Sequence, residues 1–89
     1  MSVPFELTGI WGGVFSFEEE EVMLEFQNGV FFSEIVNVKE FLEAIESNTR
    51  FWICENNVFV SSNPDIVSFV HKGMEVKFQK QEFLAKFHN

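Results

Sequence analysis

Cysteine and histidine are the residue types in this chain with the potential for nucleophilic catalysis. Cys54 is the single cysteine, and His71 is the histidine closer to it in sequence. A thiol becomes a strong nucleophile when a neighbouring base takes its proton. Cys54 lies in a predicted strand, however, where a free cysteine usually packs as a small hydrophobic residue. His71 falls in the last turn of a predicted helix, where a cation favours the helix dipole. We therefore predict that the protein is not an enzyme.

A run of four acidic residues is the pattern nearest to a metal-binding segment: Glu18, Glu19, Glu20 and Glu21. Calcium loops interleave Asp, Asn and Gly so that several oxygens converge on the ion, whereas consecutive glutamates point in different directions. Zinc sites need Cys or His pairs at ligand spacing, and the sequence holds none. We predict a solvated turn at this run, with no metal and no cofactor.

Charge is distributed unevenly along the chain. Residues 1–38 hold seven glutamates and no Lys or Arg, whereas residues 39–89 hold seven acidic and all six basic residues. The formal net charge is -8. An acidic surface repels nucleic-acid backbones and anionic membranes and attracts basic protein surfaces. The expected partner is a protein with a basic surface, and no direct binding to nucleic acid or membrane is expected.

The sequence also favours a cytoplasmic protein. The first residues lack the basic and apolar regions of a signal peptide. No apolar run approaches the roughly 18 residues that a membrane-spanning helix needs. A lone cysteine forms no internal disulfide and fits a reducing compartment.

Thirteen phenylalanines and no tyrosine give the chain a strong tendency to bury aromatic rings, because Phe lacks the hydroxyl with which Tyr meets water. The length of 89 residues corresponds to one domain, residues 1–89. The elements are predicted in the order β-β-β-β-α-β-β-α-β-α. That order describes an α+β fold with a mainly antiparallel sheet of about five to six strands and two to three short helices.

An Asn-Gly dipeptide at 28–29 predicts a β-hairpin with a two-residue type I′ turn. The pairing across that turn sets Phe32 opposite Glu25 on an acidic face and turns Phe31 to the apolar face. In the preceding hairpin, the glutamate run pairs Phe17 with Val22 on the apolar face.

Three helices and a strand are predicted in the part of the chain that follows the Asn-Gly hairpin. Asn37 has the spacing of an N-cap, and an apolar stripe continues to about Ser47. Asn-Pro at 63–64 begins a second predicted helix that Gly73 ends, although its β-branched residues leave a strand as the alternative. Residues 74–78 alternate as a strand, and a C-terminal helix follows.

A second hairpin is predicted around the Asn-Asn turn at 56–57, and Trp52, Cys54 and Phe59 share one of its faces. This face could serve a subunit interface or an apolar ligand pocket. The hexapeptides at 28–33 and 56–61 match at four of six positions. The match indicates either a duplicated hairpin-helix unit or hairpin chemistry common to both turns.

These observations predict a non-enzymatic, acidic protein-binding module, most simply an inhibitor that docks on a nucleic-acid-binding or catalytic groove. Small acidic inhibitors of nucleases and of bacterial defence systems, often phage-encoded, share this composition. A counter-defence protein of a phage or mobile element, acting in the host cytoplasm, fits the same profile. The alternative is a structural or ligand-binding homo-oligomer that uses the Trp52 and Phe59 face. The predicted docking residues are acidic side chains around two apolar ones: Glu18, Glu19, Glu20, Glu21, Met23, Glu25, Phe32 and Glu34.

Overall fold

Two antiparallel four-stranded sheets, each followed by one helix, make up the fold in a computed structural model that describes residues 4–88. Sheet 1 and its helix contain β1 (Phe5–Thr8), β2 (Gly13–Glu18), β3 (Glu21–Phe26), β4 (Phe31–Ile35) and α1 (Val38–Glu46). Sheet 2 and its helix contain β5 (Phe51–Ile53), β6 (Val58–Ser62), β7 (Ile66–His71), β8 (Met74–Gln79) and α2 (Lys80–Phe87). The α+β class is confirmed, but residues 4–88 form eight strands in two sheets rather than five to six in one.

A cluster of phenylalanine rings forms the centre of the core. The Phe15 ring is fully buried, and its centroid lies 4.9 Å from that of Phe83 and 5.3 Å from that of Phe69. Phe41 of α1 and Phe87 of α2 contact the same ring. One aromatic cluster therefore joins both sheets and both helices.

The two sheets are also joined through the backbone of the β1–β2 loop. Ile10 N–H donates to the Lys77 carbonyl and Lys77 N–H donates to the Trp11 carbonyl, both at 2.8 Å. Gly12 lies so close to β8 that an added Cβ would sit 1.9 Å from the Glu75 carbonyl oxygen. Only a glycine fits this contact, since its φ of +94° is also in the left-handed region.

The turn between β3 and β4 differs from the predicted type I′ turn. Gly29 N–H donates to the Phe26 carbonyl at 2.9 Å, and Phe26 N–H donates to the Val30 carbonyl at 2.8 Å. These bonds enclose a three-residue loop at 27–29, with Gly29 at φ +90°. A three-residue hairpin loop of this kind is a type I turn followed by a glycine in the left-handed region.

The longer loop shifts the pairing of β4 by one residue from the predicted register. Phe31 lies opposite Glu25, and Phe32 lies opposite Leu24. A one-residue shift moves every side chain of a strand to the other face of its sheet. The predicted position of Phe32 on the acidic face is therefore wrong, and Phe31 occupies that face instead.

Type I′ geometry, with positive φ at both central residues, occurs in two other hairpins. Glu19 and Glu20 have φ values of 55° and 103° between β2 and β3, and Lys72 and Gly73 have 45° and 80° between β7 and β8. The expected pairing of β2 with β3 is confirmed, since Phe17 lies opposite Val22.

The predicted helix at 63–73 is wrong, because Ile66–His71 forms strand β7. Asn63 Oδ1 accepts from the N–H groups of Asp65 and Ile66, so it closes a turn between β6 and β7 rather than capping a helix. Alternate residues Val67 and Phe69 are fully buried. Residues that are β-branched favour a strand whenever neighbouring strands can bury one face.

The other two predicted helices are confirmed. Asn37 Oδ1 accepts from Glu40 N–H at 3.0 Å and caps α1, whose residues Phe41 and Ile45 are buried. In α2, Phe83 and Phe87 are buried in the core, as expected of the inner face of a C-terminal helix.

The order of the elements shows a structural repeat that differs from the predicted one. Four strands and a helix occur twice, and corresponding elements start 42–46 residues apart, from Phe5 and Phe51 to Val38 and Lys80. The similar hexapeptides at 28–33 and 56–61 fall at non-equivalent places, one at the β3–β4 turn and the other at the β5–β6 turn. Their likeness therefore reflects common hairpin chemistry.

Replacing Gly12 by alanine is expected to destabilise the fold by about 3 kcal/mol or more. The new Cβ would meet the Glu75 carbonyl and would also place a side chain at positive φ. Gly29→Ala is the matched control, because Gly29 has a similar φ of +90° but open space around it, and it should lose only about 1–2 kcal/mol. Urea unfolding of both variants measures the difference. Equal losses would contradict a tight junction at Gly12.

Candidate functional site

The solvent-facing side of sheet 1, here called the acidic face, combines carboxylates with exposed apolar side chains. Strand alternation and the observed register put these residues on one side of the sheet: Glu6, Glu18, Glu21, Met23, Glu25, Phe31 and Ile35. Phe31 and Ile35 are 58% and 73% exposed, and Met23 is half-buried. Carboxylates around exposed apolar side chains resemble the rim and centre of a protein interface.

Neighbouring strands bring the charged and apolar side chains of this face together. Glu25 lies opposite Phe31, and Glu21 lies opposite both Glu18 and Ile35. Directly opposed residues have their Cβ atoms about 4.5–5.5 Å apart, so Phe31 and Ile35 each stand beside a carboxylate. Within residues 4–88, none of these carboxylates forms an ion pair. Their charge is therefore uncompensated by neighbouring cations of the described chain.

The structure brings six of the eight predicted docking residues to this face or its border. Glu18, Glu21, Met23 and Glu25 lie on the acidic face, while Glu19 and Glu20 form the turn at its end. The exceptions lie on strand β4, whose register was mispredicted.

The other two predicted docking residues, Phe32 and Glu34, lie on the inner side of the sheet. The Phe32 ring packs 4.6 Å from the His71 ring and 6.0 Å from the Phe26 ring. Glu34 Oε1 accepts from Cys54 N–H at 2.7 Å and ties β4 to the β5–β6 turn. Phe31 and Ile35 take the exposed positions that sequence reasoning missed. Gly29 was the available signal, since it also suits a three-residue loop.

Cys54 and His71 do not form a catalytic pair in the described residues. Cys54 Sγ contacts the Ser33 carbonyl at 3.8 Å, whereas His71 Nδ1 lies 2.6 Å from the Asn57 carbonyl. Burial, and to a lesser extent the negative charge of Glu34, raises the pKa of the Cys54 thiol to about 11. A thiol with this pKa is protonated at neutral pH, and the thiolate is the reactive form.

A second aromatic surface lies on the outer side of sheet 2. Trp52 is 49% exposed and pairs with Phe59, with the ring centroids 5.1 Å apart. The Arg50 guanidinium carbon lies 4.9 Å from the centre of the Phe59 ring. The expected common face of Trp52 and Phe59 is confirmed, whereas Cys54 lies in the turn after β5 with φ 56°.

Other classes of site have little support within residues 4–88. No group of three or more His, Cys, Asp or Glu side chains is placed to hold a metal ion there. In the same residues, neither helix is long and apolar enough to cross a membrane. No protein-family model, curated protein or solved structure matches the chain.

We predict that Cys54 reacts slowly with iodoacetamide in the folded protein. A pKa of about 11 against an ordinary 9.0 lowers the thiolate fraction at pH 8 about a hundredfold. The alkylation rate should be more than tenfold below that of the urea-unfolded chain and should keep rising beyond pH 9. Because the pKa is higher in the folded state, stability should fall as the pH rises from 9 towards 11.

Glu34→Gln should speed this alkylation by removing the nearby negative charge. Glu25→Gln makes the same charge change on the other side of the sheet and should leave the rate unchanged. A rate that levels off below pH 9 in the folded protein would contradict the raised pKa.

Proposed function

We propose that the protein is a non-enzymatic inhibitor that docks its acidic face on the basic surface of a larger protein. The observation that carries this proposal is the acidic face itself, where uncompensated carboxylates surround exposed Phe31 and Ile35. A basic nucleic-acid-binding or catalytic groove is the surface of matching charge. Covering such a groove would block its substrate without any chemistry by the inhibitor.

Charge and apolar contact have separate roles in this proposal. The carboxylates speed the encounter with a basic partner and suppress association with acidic ones. Most of the binding free energy comes from a few well-buried apolar or aromatic side chains near the centre of an interface. Phe31 supplies the ring, and Ile35 extends the apolar contact along the same strand.

The absence of basic residues from the first 38 positions supports the same function. Solubility alone needs net charge, but not the exclusion of cations from a whole sheet. We propose that this inhibitor acts in the cytoplasm. In the most specific form of the proposal, it is a counter-defence protein encoded by a phage or a mobile element.

A second candidate function is self-association through Trp52 and Phe59. The half-exposed Trp52 ring, on the edge strand β5, packs against the Phe59 ring in a tilted arrangement, and Arg50 lies over Phe59. An exposed aromatic pair at a sheet edge is a common element of subunit interfaces and apolar ligand sites. This function would use sheet 2 and leave the acidic face free.

The docking proposal predicts a salt-dependent complex with a basic host protein. After capture by the tagged chain, the purified partner should bind at least tenfold more weakly at 500 mM than at 50 mM NaCl. The double variant Glu21→Lys, Glu25→Lys should abolish this salt dependence and weaken binding. An affinity that changes with neither salt nor charge reversal would refute the electrostatic docking.

Phe31→Ala should weaken the same complex at least tenfold, as expected for a central aromatic contact. Ile10→Ala is the matched control, because Ile10 is similarly exposed, at 55%, but lies outside the acidic face. Equal effects of the two substitutions would count against the assigned role of Phe31.

The self-association candidate predicts a dimer or larger oligomer by light scattering of the purified chain. Trp52→Ser should return the protein to a monomer, because it removes the exposed ring from the proposed interface. Glu25→Gln, on the acidic face, should leave the oligomer intact. A monomer at millimolar concentration would exclude this candidate.

A further inference from the structure

An open cleft lies where the β1–β2 loop of sheet 1 meets the last hairpin of sheet 2. Its volume is about 510 Å³, within the range of about 300–1,000 Å³ typical of ligand sites. The side chains that shape it are apolar on one part and polar on the other: Trp11, Phe26 and Met74, then Gln27, Asn28 and Glu75. The cleft therefore offers an aromatic surface, an apolar wall and one carboxylate.

Trp11 is exposed yet held in place by its backbone. Its side chain is 64% exposed, although most tryptophans are largely buried. Hydrogen bonds of Ile10 and Trp11 with Lys77 fix this segment against β8. Gly12, the next residue, packs directly against the backbone of β8, where an added Cβ would clash with the Glu75 carbonyl. The ring is thus presented to solvent from a fixed part of the fold.

Glu75, which lines the same cleft as Trp11, is paired only weakly with Lys77. Lys77 Nζ lies 3.7 Å from Glu75 Oε1, and both side chains are about 40% exposed. An exposed ion pair at this distance contributes little to stability, so an incoming cation can displace Lys77. The cleft then offers a free carboxylate as well as an indole ring to the same ligand.

We propose that this cleft binds the guanidinium group of an arginine side chain from the basic partner. The inference rests on the proposed function, since the arginine belongs to the surface that the acidic face covers. A guanidinium stacks flat on an indole ring and donates hydrogen bonds to a carboxylate at the same time. Its alkyl stem packs on apolar side chains such as Met74.

The position of the cleft would allow one partner protein to contact both the cleft and the acidic face. Phe26 directly follows Glu25 of the acidic face, and the turn at 27–29 leads from the cleft to Phe31. A protein that lies on the acidic face can therefore extend an arginine around the β3–β4 turn. The net charge of -8 favours cationic over neutral or anionic ligands.

The test uses the full chain carrying Trp52→Phe, so that Trp11 is its one tryptophan. The probe is an acetylated, amidated Gly-Arg-Gly-Arg-Gly peptide, titrated at low salt while Trp11 fluorescence is recorded. The same peptide with citrulline is the matched control, because citrulline has the shape of arginine without its charge. We expect saturable binding of the arginine peptide and about tenfold weaker binding of the citrulline peptide.

Three substitutions in this background locate the site. Glu75→Gln should weaken binding of the arginine peptide about tenfold, whereas Glu55→Gln, the same change on an exposed turn elsewhere, should not. Lys77→Met should strengthen binding, because it removes the cation that competes for Glu75. Equal affinities for the two peptides, or equal effects of Glu75→Gln and Glu55→Gln, would overturn the proposal.

Failure of this inference can be told apart from failure of the proposed function. If the captured partner binds with strong salt dependence and Trp11→Ala leaves its affinity unchanged, the cleft proposal fails while the docking function stands. If the arginine peptide binds the cleft but no basic partner binds the acidic face, the docking function fails and the cleft retains its cation site.

Discussion

The packing of aromatic rings around Phe15 is the interaction on which the rest of the structure depends. Rings from both sheets and both helices meet there, including Phe41 of α1 and Phe83 of α2. Aromatic pairs of this kind stabilise through buried area and through edge-to-face geometry. Because the rings face inward, each sheet must show its other side to solvent. The acidic face and the Trp52 surface are those other sides.

The strand pairs and helices that could be predicted from sequence are those with one possible geometry. The β2–β3 pairing follows from the short glutamate turn, and α1 follows from the Asn37 cap and its apolar stripe. Two elements, the segment at 66–71 and the β3–β4 turn, were mispredicted because the local sequence is compatible with two structures in each case. The β-branched segment at 66–71 had the apolar content of a helix stripe, but sheet neighbours on both sides selected a strand.

The docking surface shows the same division between what local sequence determines and what packing decides. Its charge could be predicted, because no basic residue precedes Lys39 and no register can alter that fact. Its exposed ring could not, because an Asn-Gly pair suits either a two-residue or a three-residue loop. Packing of Phe32 against Phe26 and His71 goes with the longer loop, and Phe31 is left outside.

The repeated order of four strands and a helix has a consequence for how the chain can be divided. The segment at 47–50 separates two units that each hold a complete sheet and helix, yet α1 of the first unit packs on β5 and β6 of the second. Buried Lys80 in α2 donates to Asn48 Oδ1 at 2.7 Å and so ties the connecting segment to the second unit. Each unit alone would expose half of the aromatic cluster to water. A chain cleaved at this segment would thus yield two fragments that gain a core only by reassociating, as in a split reporter protein.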